Sequence, residues 1–212
     1  MVTKGRTRPS SSREEETRAA ILAAGRRLAR KYGVQKLTME DVAAACGRTK
    51  SFLYYYYPGR RELIRALVEA ELGEIREHVR SAVAKEVGAT DKLRTFVRTR
   101  LEEVVRQVTS VGVATVRQFV EGQVGADLPS MLAMRKALDE EEGVLIANLL
   151  KLGVKEGAFR PLSRELIEDM TTFLLSALRG VELELALAPE TQQLLGPRIA
   201  RVLDVLMRGL ST

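Results

Sequence analysis

Residues 37–63 read LTMEDVAAACGRTKSFLYYYYPGRREL and contain the local signals of a short helix that is followed closely by another. Thr38 and Asp41 have the spacing of a capping box, in which a threonine hydroxyl and an acidic side chain satisfy free N–H groups at the start of a helix. This pair therefore predicts a short helix over about residues 39–46.

A second helix is predicted only a few residues later. Gly47 can adopt the left-handed conformation that ends the first helix, and Thr49 or Ser51 can cap the second. Pro58 stands where a long helix, the fourth of the chain, can begin near Gly59, because the missing N–H of proline costs nothing in a first turn. Two helices this close in sequence must cross steeply, as in the helix-turn-helix of DNA-binding proteins, although any corner between two helices gives a similar pattern.

Positive charge is concentrated in the first third of the chain. Residues 1–65 contain 15 of the 34 Lys and Arg residues but only six of the 28 Asp and Glu residues, so they carry +9 while the whole chain carries +6. A basic end on a mildly acidic protein is the pattern expected for binding a polyanion, although a solvated basic tail gives part of the same signal. Residues 1–13 are expected to form a flexible basic arm, which either reaches a minor groove or is an inert tail.

The whole chain beyond this arm is predicted to be all-α, because apolar residues recur at intervals of three and four and alternating β-branched residues are absent. The first helix is expected to begin near Glu14, with Ile21, Ala24, Leu28 and Tyr32 on its buried face. Further helices are expected near residues 59–85, 90–109, 114–124, 128–156, 163–187 and 190–210.

The composition excludes several classes of protein. No run of 18 apolar residues is free of charge, so no membrane span is expected. The basic residues at the N-terminus are not followed by an apolar segment, so no secretory signal is expected either, and a cytoplasmic location follows. Cys46 is the single cysteine and His78 the single histidine, so no disulfide framework, metal site or cofactor is expected. Cys46 suits a small buried position better than a redox switch, and His78 suits a structural or surface position better than a ligand contact.

The stretch over residues 37–63 closely resembles the DNA-binding domain of the TetR family of bacterial transcription regulators. The shared pattern is Thr, two spacers, Asp-Val-Ala, a Gly turn, Thr, Leu-Tyr, an aromatic triplet, then a basic residue and Leu. The similarity covers about residues 14–68. It implies an N-terminal three-helix helix-turn-helix domain over residues 14–58 and a larger helical domain for effector binding and dimerisation over residues 59–212.

Two residues depart from the family pattern. Arg48 occupies a turn position where the family usually has a small apolar residue, and Phe52 occupies a position that is often Thr or Ser. Both positions lie where the family reads DNA. They indicate either a different operator sequence or an additional phosphate contact by Arg48.

The run of four tyrosines divides by helical geometry. Leu53 and Tyr57 are four residues apart and share a face, which is buried in the family, while Tyr54 and Tyr55 lie on the opposite side and Tyr56 lies between. A tyrosine ring can pack on a sugar or a thymine methyl while its hydroxyl contacts a phosphate, although a packed aromatic cluster without a DNA role is the alternative. The resemblance implies a DNA-contacting set of Thr38, Arg48, Thr49, Lys50, Ser51, Tyr54, Tyr55, Tyr56 and Arg60.

The resemblance also implies an effector pocket within the C-terminal domain. Few aromatic residues and many Leu, Val, Ala and Met residues favour an apolar or amphiphilic effector. The candidate wall residues are Phe96, Arg100, Phe119, Gln123, Met134, Asn148 and Phe173.

The last two helices carry apolar residues at helical spacing and are expected to form a four-helix bundle with a second copy of the chain. A single short recognition helix gives little affinity, so dimerisation doubles the DNA contacts and requires a near-palindromic operator. The candidate interface residues are Leu174, Leu178, Val181, Leu185, Ile199, Leu203 and Leu206.

The sequence therefore predicts a homodimeric regulator, a repressor that a small-molecule effector releases from double-stranded operator DNA. The alternative is a helix-turn-helix regulator that is constitutive or controlled by a protein partner and has no small-molecule pocket. An enzyme is not expected, because the chain has no Gly-rich phosphate loop, no nucleophile elbow and no histidine partner for its cysteine.

Overall fold

The computed structural model describes residues 10–106, 111, 113–114, 128–188 and 192–211. These residues contain α-helices, a 3-10 turn over Val34–Lys36 and no β-strand. This confirms the all-α prediction. Residues 1–9 of the predicted arm and most of the predicted helix over 114–124 lie outside the described residues. The helices are α1 (Ser10–Tyr32), α2 (Met39–Ala45), α3 (Lys50–Tyr56), α4 (Arg60–Ala84), α5 (Ala89–Arg106), α6 (Leu128–Lys155), α7 (Arg164–Leu187) and α8 (Gln192–Leu210).

The chain divides into two compact units, residues 1–67 and residues 68–212. The division falls inside α4 because the first turns of this helix contribute Leu63 and Leu67, both fully buried, to the core of the first unit. The sequence places the domain boundary earlier, between residues 58 and 59, and that assignment stays a prediction.

Helix α1 begins earlier than the sequence predicts and buries a shorter stripe. It starts at Ser10 rather than near Glu14, and an ion pair between Arg18 and Glu14 (3.0 Å) lies in its early turns. Ile21 and Ala24 are buried as predicted, but the prediction for Tyr32 is wrong, because its side chain is 52% exposed. Tyr32 is the last residue of the helix, and its ring packs against the Lys31 amine and not against the core.

The caps around α2 and α3 follow the predicted local chemistry. The Thr38 hydroxyl accepts a hydrogen bond from the Asp41 N–H (3.1 Å) and donates one to the Asp41 carboxylate (2.6 Å). Gly47 has a φ of 63°, the left-handed conformation that ends the helix. The Thr49 hydroxyl then accepts from the Phe52 N–H at the start of α3 (3.3 Å). These caps place the two short helices on either side of a tight turn.

In the second unit α5 is the central helix, since it packs against α6, α7 and α8. Phe96 from α5, Ile146 and Leu150 from α6, and Leu178 from α7 are among the buried side chains of one continuous hydrophobic core. Burial of this shared surface stabilises the second unit, because each of these side chains is almost completely removed from water.

The turn after α6 depends on a close approach between a glycine and an aromatic ring. The N–H groups of Ala158 and Phe159 both donate to the Gly153 carbonyl (2.9 and 3.0 Å), and Gly157 has a φ of 72°. The Phe159 ring lies so close to Gly153 that a Cβ there would be 2.0 Å from a ring carbon. Only glycine therefore fits at position 153 without moving the ring.

We expect Gly153→Ala to lower the free energy of unfolding by about 2 kcal/mol or more, because the added methyl group displaces the Phe159 ring from the core. Gly73→Ala is the matched control, since Gly73 lies in α4 with no atom near its would-be Cβ, and alanine there should stabilise the helix by up to about 1 kcal/mol. Urea unfolding followed by circular dichroism measures both. Equal effects of the two variants would contradict this account of the turn.

Candidate nucleic-acid interface

Helix α3 presents two different faces, as the tyrosine spacing predicts. Leu53 is fully buried and Tyr57, the residue that ends the helix, is only 6% exposed. On the other side Tyr54 is 42% exposed and Tyr55 is 77% exposed. The inward residues fix the helix on the core of the first unit, and the outward rings form a surface that another molecule can reach.

Cationic side chains lie over the aromatic rings of this surface. The Arg48 guanidinium lies 5.1 Å from the centre of the Phe52 ring, so the two residues that depart from the family pattern contact each other. Lys50 lies 5.8 Å from the centre of the Tyr54 ring. Such cation–π contacts hold a positive charge against a flat apolar surface. We name the group Arg48, Lys50, Phe52, Tyr54, Tyr55 and Tyr56 the aromatic-basic face.

Lys50 forms an ion pair with Glu40 of α2. The hydrogen bond to Glu40 raises the pKa of the Lys50 ammonium, and the same bond lowers the pKa of the Glu40 carboxyl. Both groups are therefore charged at neutral pH. Since both side chains are about half exposed, Lys50 can exchange this carboxylate for another anion at little cost.

Helix α1 contributes side chains that the sequence did not identify as part of the site. A shallow cleft is lined by Arg13, Glu14 and Thr17 of α1 together with Arg48, Phe52, Tyr55 and Tyr56. Arg18, one residue further on, lies 5.5 Å from the centre of the Tyr56 ring. The available signal was the four-residue spacing of Arg13 and Thr17, which places both on one face of α1.

Arg60, which was predicted to contact DNA, has partners within the first unit. Its Nε donates to the Leu37 carbonyl (2.8 Å), and its Nη2 donates to the carbonyls of Val34 (2.8 Å) and Gln35 (3.3 Å). Arg60 therefore fastens the start of α4 to the turn before α2. The hydroxyl of Thr38 is also engaged, by Asp41, so a DNA contact by Arg60 or Thr38 stays a prediction.

The remaining predicted residues of the face lie at the start of α3. Thr49 is exposed and its hydroxyl caps the helix, and Ser51 is exposed in the first turn. Cys46 is half-buried beside the Ala20 carbonyl, and burial raises the pKa of its thiol. A thiol with a raised pKa is less often ionised and less reactive, which supports a structural position for Cys46.

The predicted pocket residues lie at several different places in the second unit. Phe96 and Arg100 are fully buried one turn apart on α5, and Met134 is half-buried on α6. Asn148 lines an open groove between α4 and α6. Phe173 lines a separate, almost wholly apolar cavity of about 180 Å³ between α5, α7 and α8. Phe119 and Gln123 lie outside the described residues.

The predicted dimer residues include three that face the core of the protomer. Leu174, Leu178 and Leu185 are at most 7% exposed, so the prediction that they form an intermolecular surface needs correction. Helical spacing identified the stripe that packs inward. Val181, Leu203 and Leu206 are half-buried, and the side chain of Ile199 lies outside the described ones. The exposed large apolar residues of the same two helices are Phe173, Leu183, Leu187, Val202 and Val205.

His78 of α4 pairs through Nδ1 with the buried Glu103 carboxylate of α5. The described residues hold no group of three or more His, Cys, Asp or Glu that could bind a metal ion. None of the described helices is both long enough and apolar enough to cross a membrane.

Comparisons with known proteins agree with this architecture. Residues 21–67 match the model of bacterial regulatory proteins of the tetR family. The HTH-type transcriptional regulator TtgR of Pseudomonas putida is 33% identical over 79 residues, which is 37% of this chain and 37% of TtgR. The chain thus matches little more than a third of the length of this curated relative.

Two solved structures show the same fold over nearly the whole chain. A TetR-family transcriptional regulator from Pectobacterium atrosepticum superposes with a TM-score of 0.71 and 20% identity, covering 96% of this chain and 98% of that one. AibR, solved in complex with isovaleryl coenzyme A and operator DNA, superposes with a TM-score of 0.55 and 19% identity, covering 92% of this chain and 97% of that one.

The first unit has two short helices around a capped turn and is followed along the chain by a larger helical unit, which is a helix-turn-helix architecture. The match of residues 21–67 shows that this part of the chain is similar to the bacterial regulatory proteins of the tetR family. Over the rest of the chain the likeness to solved TetR-family structures is one of fold.

We expect Arg60→Met to lower the free energy of unfolding of the first unit by about 1 to 3 kcal/mol, because three charged hydrogen bonds to the carbonyls of Val34, Gln35 and Leu37 are lost. Arg61→Met is the control, since Arg61 is the exposed neighbour and should change stability by less than about 0.5 kcal/mol. Denaturant unfolding of both variants measures the difference. If the two substitutions cost the same, Arg60 does not fasten α4 to the turn.

Proposed function

We propose that this protein is a DNA-binding transcriptional repressor that acts as a homodimer in the cytoplasm and leaves its operator when a small effector binds. The observation that carries the proposal is the aromatic-basic face of α3. Tyr54 and Tyr55 are exposed there beside Arg48 and Lys50, while Leu53 is buried behind them. A folded protein that exposes two large rings together with cations on a helix has a surface suited to base edges and phosphates.

The proposed readout places α3 in a major groove. Lys50 would exchange Glu40 for a phosphate or for guanine O6 and N7, and the Tyr55 ring would pack on a sugar or a thymine methyl. The Arg48 guanidinium lies over the Phe52 ring, and Arg48 lines the same cleft as Arg13, so a DNA phosphate bound there would receive donors from both. The pairing of Arg48 with Phe52 supports an operator that differs from those read by members with small residues at these positions.

Relatives support the same class of function without defining it here. TtgR is named a transcriptional regulator, and AibR was solved with operator DNA and isovaleryl coenzyme A. The match to TtgR covers only part of either chain, and the likeness to AibR concerns the fold. DNA binding and effector response are therefore proposed for this chain from its own surfaces.

Dimerisation is proposed to use the exposed apolar residues of α7 and α8. A recognition helix of seven residues offers few base contacts, so two copies are needed for useful affinity and the operator should be near-palindromic. Val202 and Val205 are 58% and 69% exposed on α8, and Leu187 is 50% exposed on α7. Large apolar side chains exposed together on neighbouring segments are typical of a protein interface.

The proposed effector response requires two states of the dimer with different DNA affinity. Helix α4 is continuous from Arg60 to Ala84, so its first residues belong to the first unit and the rest to the second. An effector that binds one position of α4 more tightly would change the separation of the two recognition helices and so weaken the operator complex. Control by a protein partner, or constitutive binding, is the alternative if no effector changes DNA affinity.

We expect Tyr55→Ala and Lys50→Ala each to weaken binding to DNA selected by the protein from a random pool by about 10-fold or more, because each loses a direct contact. Lys50→Ala should also reduce the salt dependence of binding by about one ion. Tyr32→Ala is the control, because Tyr32 is an exposed tyrosine beside a lysine at the far end of α1. Fluorescence anisotropy across a salt series measures all three; a salt-insensitive affinity, or an equal loss in Tyr32→Ala, would exclude the proposed face.

We expect Val205→Asp to convert the dimer to a monomer and to weaken operator binding by about 100-fold, because a carboxylate at the apolar interface would lose its hydration. Val87→Asp is the control, since Val87 is 90% exposed in the turn between α4 and α5. Sedimentation velocity gives the mass of each variant. A monomeric wild type, or a dimer that survives Val205→Asp, would contradict the proposed interface.

A further inference from the structure

Arg100 is the largest fully buried side chain of the described residues, and it lies at the centre of an ion-pair network. Its Nε donates to Glu142 of α6 (2.6 Å) and its Nη2 donates to Glu182 of α7. Glu182 is also paired with Arg135 of α6, which donates in turn to Asp139 (2.9 Å). The network therefore joins α5, α6 and α7 by charged hydrogen bonds.

Three polar atoms of this network have no hydrogen-bond partner anywhere in the part of the chain that the structure describes. They are Nη1 of Arg100, Nη2 of Arg135 and Oε2 of Glu142, and each is shielded from solvent. The side chain of Arg100 is completely buried and that of Glu142 is 6% exposed. Buried charged groups are normally fully hydrogen-bonded, so two donors and one acceptor without partners indicate a place where another molecule supplies them.

Charge balance restricts what that molecule can be. The network contains three guanidinium groups, of Arg100, Arg135 and Arg179, and three carboxyl groups, of Asp139, Glu142 and Glu182. Fully buried apolar residues lie one turn away on the same helices, namely Phe96, Leu138, Ile146 and Leu185. A ligand with a net charge would leave that charge uncompensated in these surroundings, which is costly, whereas a neutral polar group leaves the balance intact.

We infer that the Arg100–Glu142 pair binds the polar end of a neutral amphiphile that carries both a hydrogen-bond acceptor and a donor, such as a primary amide or an alcohol. The acceptor of the ligand accepts a hydrogen bond from the free Nη1 of Arg100, and Nη2 of Arg135 is a second donor in the same network. The donor of the ligand donates to Oε2 of Glu142. The inference rests on the proposed effector response and names the chemical class of the effector. Because the Arg100–Glu142 pair joins α5 to α6, a ligand bound to the pair would contact both helices.

The wild-type protein tests this class with four probes that each contain eight carbon atoms, namely octanamide, octanoate, octylammonium and N,N-dimethylhexanamide. The last is an isomer of octanamide that keeps the acceptor and lacks the N–H donors. Isothermal titration calorimetry on the free protein should show octanamide binding about 10-fold or more tightly than each of the others. Tighter or equal binding of octanoate, octylammonium or the dimethylamide, or no binding of octanamide, would overturn the inference.

Glu142→Gln tests the assigned atom directly. Its amide oxygen can keep the bond to Arg100 Nε while its NH₂ replaces the free acceptor with a donor, so the preference for octanamide over the dimethylamide should fall about 10-fold or more. Glu141→Gln is the control, since Glu141 is the exposed neighbour and should leave the preference unchanged. An unchanged preference in Glu142→Gln would show that the pair has a structural role only; if this variant does not fold, the wild-type selectivity decides.

DNA binding and ligand binding by the protein are measured separately. DNA binding by the protein without probes tests the regulator proposal, and calorimetry without DNA tests the ligand class. Octanamide bound with the stated selectivity should also lower operator affinity. Selective binding without DNA binding would contradict the proposed function while leaving the ligand site in place, and DNA binding without selective probe binding would contradict only the ligand site.

Discussion

The burial of Leu53 and Tyr57 is the constraint on which the first unit depends. A helix of seven residues is not stable alone in water, so α3 exists because its inner face is packed and Thr49 caps its start. With the inner positions fixed, the 100° step of the helix turns Tyr54 and Tyr55 outward. The same packing that makes the helix stable therefore determines which rings can meet DNA, and a change to the inner residues would disturb both.

The helices of the first unit could be predicted from sequence because their signals are local. The capping pair Thr38 and Asp41, the left-handed Gly47 and the inward position of Tyr57 all depend on residues a few positions apart, and the structure has each as predicted. Tyr32 shows the limit of periodicity at a helix end: the chain turns at Gly33 (φ 86°), and Val34 rather than Tyr32 takes the next buried position. The position of α5 at the centre of the second unit depends on contacts distant in sequence and was not predicted.

The sequence could not predict which side chains face the core of the protomer and which face another molecule. Apolar spacing marked Leu174, Leu178 and Leu185 but could not tell a protomer's core from a dimer interface, because both need the same stripe. The family resemblance predicts a DNA contact for Arg60, yet its guanidinium donates hydrogen bonds to carbonyls more than 20 residues away in sequence. Arg100 was one of several pocket candidates, and only its buried, unpaired nitrogen separates it from the others.

The central claim is that α3 divides into an inner face that holds it and an outer face that meets DNA. Four of the five tyrosines lie in this one stretch, so ring-labelled tyrosine observed by NMR reports both faces in one spectrum. On titration with DNA selected by the protein from a random pool, the resonances of Tyr54 and Tyr55 should shift, while those of Tyr57 and Tyr32 should stay in place. Shifts at Tyr57 or Tyr32 without shifts at Tyr54 and Tyr55 would contradict the account.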